Sequence, residues 1–520
     1  MTEANESKTA ISTFELQSAL VHAARTSGRP VLDAGRGQPN WVATTPREGY
    51  LELSAFALAE ANEHGAGSGR GAAPPAAGIA DRLAAHLTAR SAEGSDGADF
   101  LADAIAYGVD ELGFLPDPWV DELVRAVLGA GYPSPTRMLS HVEQVVERYL
   151  VGVVGADPAP AGTYRVFATE GGAAAMAYVF NTLRENRIIV PGDAIAMATP
   201  IFTPYLQIPM LEDFGFRVVE LQASHNTDHR FEDHVLDRLA DPSIKAFFVI
   251  NPGNPDSRAI SPERMKELHD LVLEQRPDLV IVADTAYAAF VEDFRGTLAD
   301  IPRNVICIHS YSKTFGATGN RLGVIAVHED NVLDDLLKAQ SPADHVAAQA
   351  RYRSITSDSD HLPFVDRLVA DSRDVALHNI AGLATPDQVQ MCLFSLAYLL
   401  PWGRTYLSAV HTELADRLEA LLEPIAAHAP GGPDSLYYAL VDVMAAIRHQ
   451  HGDEVADRVA EEMEPSQLAM KLADEHGVVV LPGQLFDAET WDVRVSLASL
   501  TVDDLRVVGQ KLAAVIDDLA

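Results

Sequence analysis

Residues 304–323 read NVICIHSYSKTFGATGNRLG, and the order of residue types in this stretch decides the fold. Residues 304–308 are apolar and rich in β-branched side chains over a length that suits a buried strand. The run then meets Ser310, Tyr311, Ser312 and Lys313, with Gly316, Gly319 and Gly323 around Arg321. A lysine just past the end of a buried strand stands where α/β folds gather ligands, at the carboxyl edge of the sheet. Partial desolvation or a neighbouring charge can release its proton there, and a neutral amine can form a Schiff base. Arg321 offers a planar donor fork suited to a phosphate dianion, and the glycines let the backbone turn between the two. A lone lysine beside a strand is more often a solvated surface residue, so the neighbouring segments carry the weight.

Residues 279–283 form a second apolar run that ends in Asp284, with Tyr287 three residues on. Residues 245–250 form a third and end in NPGNP, residues 251–255. Consecutive strand ends thus deliver Asn254, then Asp284 with Tyr287, then Ser310, Lys313 and Arg321. Earlier, a strand candidate at 164–168 passes through Gly171 and Gly172 into a helix of small residues, 173–183. The free N–H groups and dipole at such a helix start suit a phosphate, although glycines are common at any such turn. Phe202, between two prolines after residues 194–199, is either a core residue or a stacking surface.

In this order and spacing, NPGNP, ADTAY (283–287) and SYSKTFGATGNR (310–321) resemble fold-type I pyridoxal-phosphate enzymes of the aspartate aminotransferase superfamily. Within it the closer likeness is to the aspartate 4-decarboxylases, carried by ATEGGAAAM (168–176), TPIFTPYLQIP (199–209), SKTFGATGNR (312–321) and the chain length. The resemblance implies an α/β large domain with a mixed, mostly parallel seven-stranded sheet flanked by helices. A smaller α+β domain from both chain ends would complete it. It implies pyridoxal 5'-phosphate as cofactor, and catalytic roles for Lys313, Asp284 and Tyr287. Lys313 would hold the cofactor and carry protons, Asp284 would face the pyridine nitrogen, and Tyr287 and Asn254 would bind the ring hydroxyl oxygen. Phe202 would stack on the ring, while Ser310, Arg321, Gly171 and Gly172 would grip the phosphate. Many relatives have a hydroxyl residue after the glycine; Ala173 stands here, which shifts that load to backbone N–H groups. Tyr132 would reach the phosphate of a partner subunit. Arg494 would anchor the substrate α-carboxylate together with Asn254, and Arg36 and Gly37 lie in a segment expected to pass over the substrate.

The reaction so implied is β-decarboxylation of L-aspartate to L-alanine and CO2, with transamination toward pyruvate or another 2-oxo acid on the side. An ordinary aminotransferase on a dicarboxylic or aromatic amino acid shares every motif. A cofactor-binding regulator without turnover is the remote alternative. The resemblance also implies a homodimer at least, and assemblies up to a dodecamer.

The rest of the chain bounds these readings. With 520 residues the chain can bury a large core and exceeds one compact domain. Its domains are expected at 1–150 (an N-terminal arm, part of the small domain and a helical insertion), 151–400 (the cofactor domain) and 401–520 (the small domain). The balance of 39 Lys and Arg against 74 Asp and Glu, net −35, argues against nucleic acid or an anionic membrane as partner. Arginines at an acidic substrate must therefore be local exceptions. Two cysteines exclude a disulfide framework, no metal-ligand set is read, and no basic, apolar leader or membrane-length run occurs, so a cytoplasmic protein is expected. Helices are expected at 13–24, 79–89, 98–112 and 139–151, and the Gly/Ala/Pro run 65–78 as a mobile loop. Residues 338–373 turn polar and bring Arg351, Arg353 and Arg373, as an insertion or interface element within reach of a site. Arg494 sits between Val493 and Val495 in an alternating strand, and a half-buried arginine of this kind needs an anionic partner, either the substrate α-carboxylate that the resemblance implies or an internal salt bridge.

Overall fold

The structure is a computed structural model that describes residues 13–67, 69–155, 162–223, 233–373, 382–429, 431–488 and 491–519. The first twelve residues, part of the expected N-terminal arm, lie outside the described residues.

Among the described residues twelve strands follow in chain order. They are β1 (Leu32–Asp33), β2 (Tyr164–Thr169), β3 (Ala194–Thr199), β4 (Arg217–Gln222), β5 (Ile244–Ile250) and β6 (Val280–Asp284). The others are β7 (Val305–Ser310), β8 (Gly323–His328), β9 (Tyr438–Asp442), β10 (Val478–Val479), β11 (Leu481–Pro482) and β12 (Asp492–Ser496). β2 to β8 build one seven-stranded sheet in the order β2-β8-β7-β6-β5-β3-β4. It is parallel except for β8, which runs antiparallel to both β2 and β7. This is the mixed, mostly parallel sheet expected from the resemblance.

Strand composition explains the layering. β7 and β8 are buried at every position, and β5 at all but Lys245, as near-continuous apolar runs require when both sheet faces are covered. Alternate side chains feed two cores. Phe247, Val249, Ile281, Ala283, Val305 and Cys307 join the helices Thr45–Glu63, Ser140–Val153 and Thr385–Leu399 on one face. Phe248, Ile250, Val282, Ile306 and Ile308 meet the helix Gly172–Glu185 and the C-terminal part on the other. The helices between residues 45 and 153 therefore share the core on that face of the large sheet, with Ser140–Val153 packing on β2 itself.

The smaller unit is a three-stranded antiparallel sheet, β11-β12-β9, backed by the paired helices Pro401–Leu422 and Val502–Leu519. The N-terminus joins it: β1 pairs in parallel with β10, and the helix Thr13–Thr26 packs on Pro465–His476.

Two expectations change. Residues 71–78 are tethered coil, because Arg82 donates to the carbonyls of Pro75 and Ala77 and the Asp117 carboxylate accepts the Gly78 and Ala80 N–H groups. The arginines of 338–373 do not join the cluster at the sheet edge. Arg351 pairs with Asp371 and Glu185, Arg373 donates to the Thr136 carbonyl, and Arg353 is exposed. Neighbouring carboxylates pair Arg351 where it stands, and the Thr136 carbonyl holds Arg373 away from the cluster.

Candidate active site

The turns leaving β2, β3, β5, β6 and β7, and the turn entering β8, lie at one edge of the large sheet. Ile250 pairs with Asp284, Asp284 with Ile308, and both Ser310 and Thr169 with Gly323. That register brings residues more than a hundred positions apart to one place.

After β7 the chain enters a one-turn helix, Tyr311–Thr314, with the Ser310 hydroxyl accepting the Ser312 N–H at 3.3 Å. Lys313 projects from this turn, half-buried, and its Nζ donates to the Gly37 carbonyl at 2.6 Å. Tyr437 Oη donates to the same carbonyl at 2.9 Å, and the Tyr437 ring centre lies 5.6 Å from Nζ. Trp41 Nε1 donates to the Lys313 carbonyl at 3.1 Å, so the N-terminal segment clasps the lysine from both ends. A Cβ at Gly37 would fall 2.1 Å from Tyr438 Oη, hence only glycine fits there.

At the end of β6, Asp284 accepts from the Ala286 N–H at 3.0 Å and from Tyr205 Oη at 3.1 Å. Burial pushes its carboxyl up to about 6, against the opposing pull of those two donors and of Lys313. After β5, Asn254 donates through Nδ2 to Tyr287 Oη at 3.4 Å and accepts from Arg494 Nη1 at 3.1 Å. Tyr287 and Tyr438 meet through their hydroxyls at 3.1 Å. Burial, reinforced by the neighbouring phenols, raises Tyr287 well above the usual tyrosine range, so it remains a neutral donor.

Arg494, from β12, is 4% exposed. Its Nη2 donates to the Gly35 carbonyl at 2.6 Å, and the guanidinium lies 4.5 Å from the ring centres of Tyr438 and Phe486. Among the described residues Nε has no acceptor and no carboxylate pairs with the guanidinium. Burial lowers its pKa, as expected of a cation held by neutral groups alone.

The phosphate side is built from glycines. A Cβ on Gly171, whose φ is +93°, would stand 2.5 Å from Arg321 Nη2, and one on Gly172 would meet the Ser310 Cβ at 3.4 Å. A Cβ on Gly323 would strike the Gly171 carbonyl carbon at 2.5 Å. Arg321 itself adopts φ +54° and is exposed, with Nη1 donating to the Thr318 carbonyl. The arginine thus lies against the start of the helix Gly172–Glu185, where free N–H groups add to its charge. Phe202 stands half-buried at the head of the turn after β3.

Two of the expected residues lie apart. Arg36 turns outward, 62% exposed at the side chain, and pairs with Asp33 at 3.6 Å; the carbonyls of Gly35 and Gly37 face the cluster in its place. Tyr132 is 72% exposed, between the helices Pro116–Val127 and Ser140–Val153. Trp41, Tyr205, Tyr437 and Tyr438 join the cluster without having been singled out. The adjacent tyrosines at the start of β9 and a tyrosine three residues after Phe202 were the available signals.

This constellation fits pyridoxal phosphate on its own chemistry. A half-buried carboxylate with no cationic pairing partner among the described residues suits a protonated ring nitrogen, an amine stands nearby, and a glycine cradle with an arginine suits a dianion.

Comparison with known proteins follows the same line. Residues 162–512 match the family described as aminotransferase class I and II. The chain is 37% identical, over 98% of its length and 96% of the relative's, to a bifunctional aspartate aminotransferase and L-aspartate beta-decarboxylase of a Pseudomonas species. A histidinol-phosphate aminotransferase of Roseiflexus castenholzii is 28% identical over 44% of this chain and 60% of its own. Among solved structures, a single mutant of Thermus thermophilus aspartate aminotransferase superposes with a TM-score of 0.61 at 18% identity, covering 99% of this chain and all of the other, a likeness of fold alone.

Proposed function

Because the chain belongs to the class I and II aminotransferases, a family that works with pyridoxal phosphate, we propose that it removes the β-carboxylate of L-aspartate. The products are L-alanine and CO2, with aspartate transamination as a side activity. The observation that carries this reading is the end-to-end similarity to a protein with both activities. The shorter matches to plain aminotransferases keep transamination alone as the second reading.

Pyridoxal phosphate, when bound, supplies an electron sink conjugated to the substrate nitrogen. Lys313 would bind it through Nζ and afterwards take the proton from the substrate Cα and return it. Asp284 would hold the ring nitrogen in its protonated form. Tyr287 and Asn254 would donate to the ring hydroxyl oxygen, with Phe202 against the ring face. Ser310, Arg321 and the Gly171–Gly172 turn would hold the phosphate. Arg494 would bind the α-carboxylate, exchanging the Gly35 carbonyl and adding Nε for a charged partner. A tight ion pair on the β-carboxylate would stabilise the anion that must leave as neutral CO2. Arg36, turned out toward Asp33, places no such charge in the cluster.

The test is to give the cofactor-loaded enzyme aspartate without any oxo acid. Alanine and CO2 should form in equal amounts over many turnovers, with oxaloacetate limited by the amount of enzyme. Oxaloacetate with essentially no alanine would identify an aminotransferase instead. The exposed Tyr132 fits donation to a neighbouring subunit, so the active protein should be a homodimer or larger by light scattering; a monodisperse active monomer would refute this.

A further inference from the structure

We propose that Tyr205 is a positioning residue of this site, its phenol fixing the Asp284 carboxylate in the single orientation that can serve the cofactor ring nitrogen. The inference rests on the family's cofactor and on the role read for Asp284, not on which reaction aspartate undergoes.

A carboxylate has two oxygens and rotates freely unless both are engaged. Here the Ala286 N–H takes Oδ1 at 3.0 Å and Tyr205 Oη takes Oδ2 at 3.1 Å. Two donors, one to each oxygen, set the plane of the group and leave lone pairs for one further donor. The backbone donor is local, two residues along the chain. Tyr205 comes from the turn after β3, and its placement is over-determined. Its ring is 1% exposed and packs on Phe180 and Phe248 with centroids 6.4 Å away in each case. The turn is stitched to the segment under Arg494: the Ile201 N–H donates to the Phe486 carbonyl at 2.8 Å and Thr203 Oγ1 to the Leu485 carbonyl at 2.5 Å. Burial and the adjacent carboxylate keep the phenol protonated, so it acts only as donor to Asp284. Lys313, Tyr287 and Cys307 are the other titratable groups that face this pair.

A donor to the ionised form favours that form, and so favours the proton on the ring nitrogen opposite it. The test loads the enzyme with pyridoxal phosphate labelled with 15N in the ring and follows its 15N shift from about pH 6 to 9. The unmodified enzyme should keep a protonated ring nitrogen throughout. Tyr205→Phe, which retains the ring and its packing, should lose that proton within the range and lower kcat about tenfold with KM little changed. Phe180→Leu disturbs the same packing while sparing the hydroxyl, and should behave as the unmodified enzyme. A Tyr205→Phe shift indistinguishable from wild type, or an equal effect of Phe180→Leu, overturns the proposal. Asp284→Ala serves as the reference: a ring nitrogen still protonated there defeats the Asp284 assignment itself, and with it any role for Tyr205.

Discussion

Arg494 is buried and Arg351 half-buried, in regions of opposite design. Arg351, in the polar segment beside the helix Gly172–Glu185, meets Asp371 at 2.8 Å and Glu185 at 2.7 Å. Asp371 is further satisfied by Tyr352 Oη and Asn186 Nδ2, so Arg351 and its two carboxylates find their partners within the chain. Arg494 lies between two aromatic rings, held by one amide oxygen and one backbone carbonyl, with Nε unpartnered. Asp284 shows the same economy, half-buried with two neutral donors and, among the described residues, no paired cation. Uncompensated buried charge is costly and persists where a ligand completes it. Both regions carry arginines and carboxylates in the sequence; only the pairing tells them apart.

The contrast breaks most sharply at Lys313. Lys313→Ala should lower turnover by about 10^4-fold, and borohydride reduction of the unmodified enzyme should fix the cofactor to that residue. A labelled peptide containing any other lysine would overturn the reading of the 304–323 stretch.

Asp284 comes next. Asp284→Ala should cost about 10^3-fold in kcat while cofactor stays attached at Lys313 and the phosphate turn. The carboxyl stands at about 6 in the cofactor-free chain, and a protonated ring nitrogen needs it ionised. Affinity for the cofactor should therefore fall as pH drops through 6, since the proton must first be removed from Asp284. Asp284→Asn should flatten that part of the profile; an unchanged slope would mean that Asp284 does not meet the ring.

The residues at strand ends were legible because a buried strand forces polar groups to its last position, as at Asp284 and Ser310. Arg494 was legible because a cation alternating with valines in a strand demands an explanation. Tyr205, Tyr438 and Trp41 were not, since their contacts span 79, 151 and 272 positions and a tyrosine in an apolar run reads as core. The carbonyls of Gly35 and Gly37 have no side-chain signature at all, and Arg36 between them drew the attention instead. The helix Thr45–Glu63 was obscured by Glu52 and Glu60, buried at 8% and 6% exposure. Arg90 and Arg82 pair with them from the next helix, and these carboxylates interrupt the apolar stripe that would reveal the turn periodicity.

On the function proposed above, the uncompensated arginine, not the neutralised one, binds the substrate. This is tested by titrating the cofactor-loaded enzyme with 2-methylaspartate, which lacks the Cα proton and cannot proceed, and following the cofactor absorbance. Arg494→Ala should weaken binding at least about 100-fold, since it leaves the α-carboxylate unpaired in a buried site. Arg351→Ala should leave binding within about twofold while lowering stability by about 1–2 kcal/mol, through an orphaned Asp371 in a partly solvated network. Equal weakening in both variants, or an Arg494→Ala enzyme that binds as tightly as the unmodified one, would contradict the account.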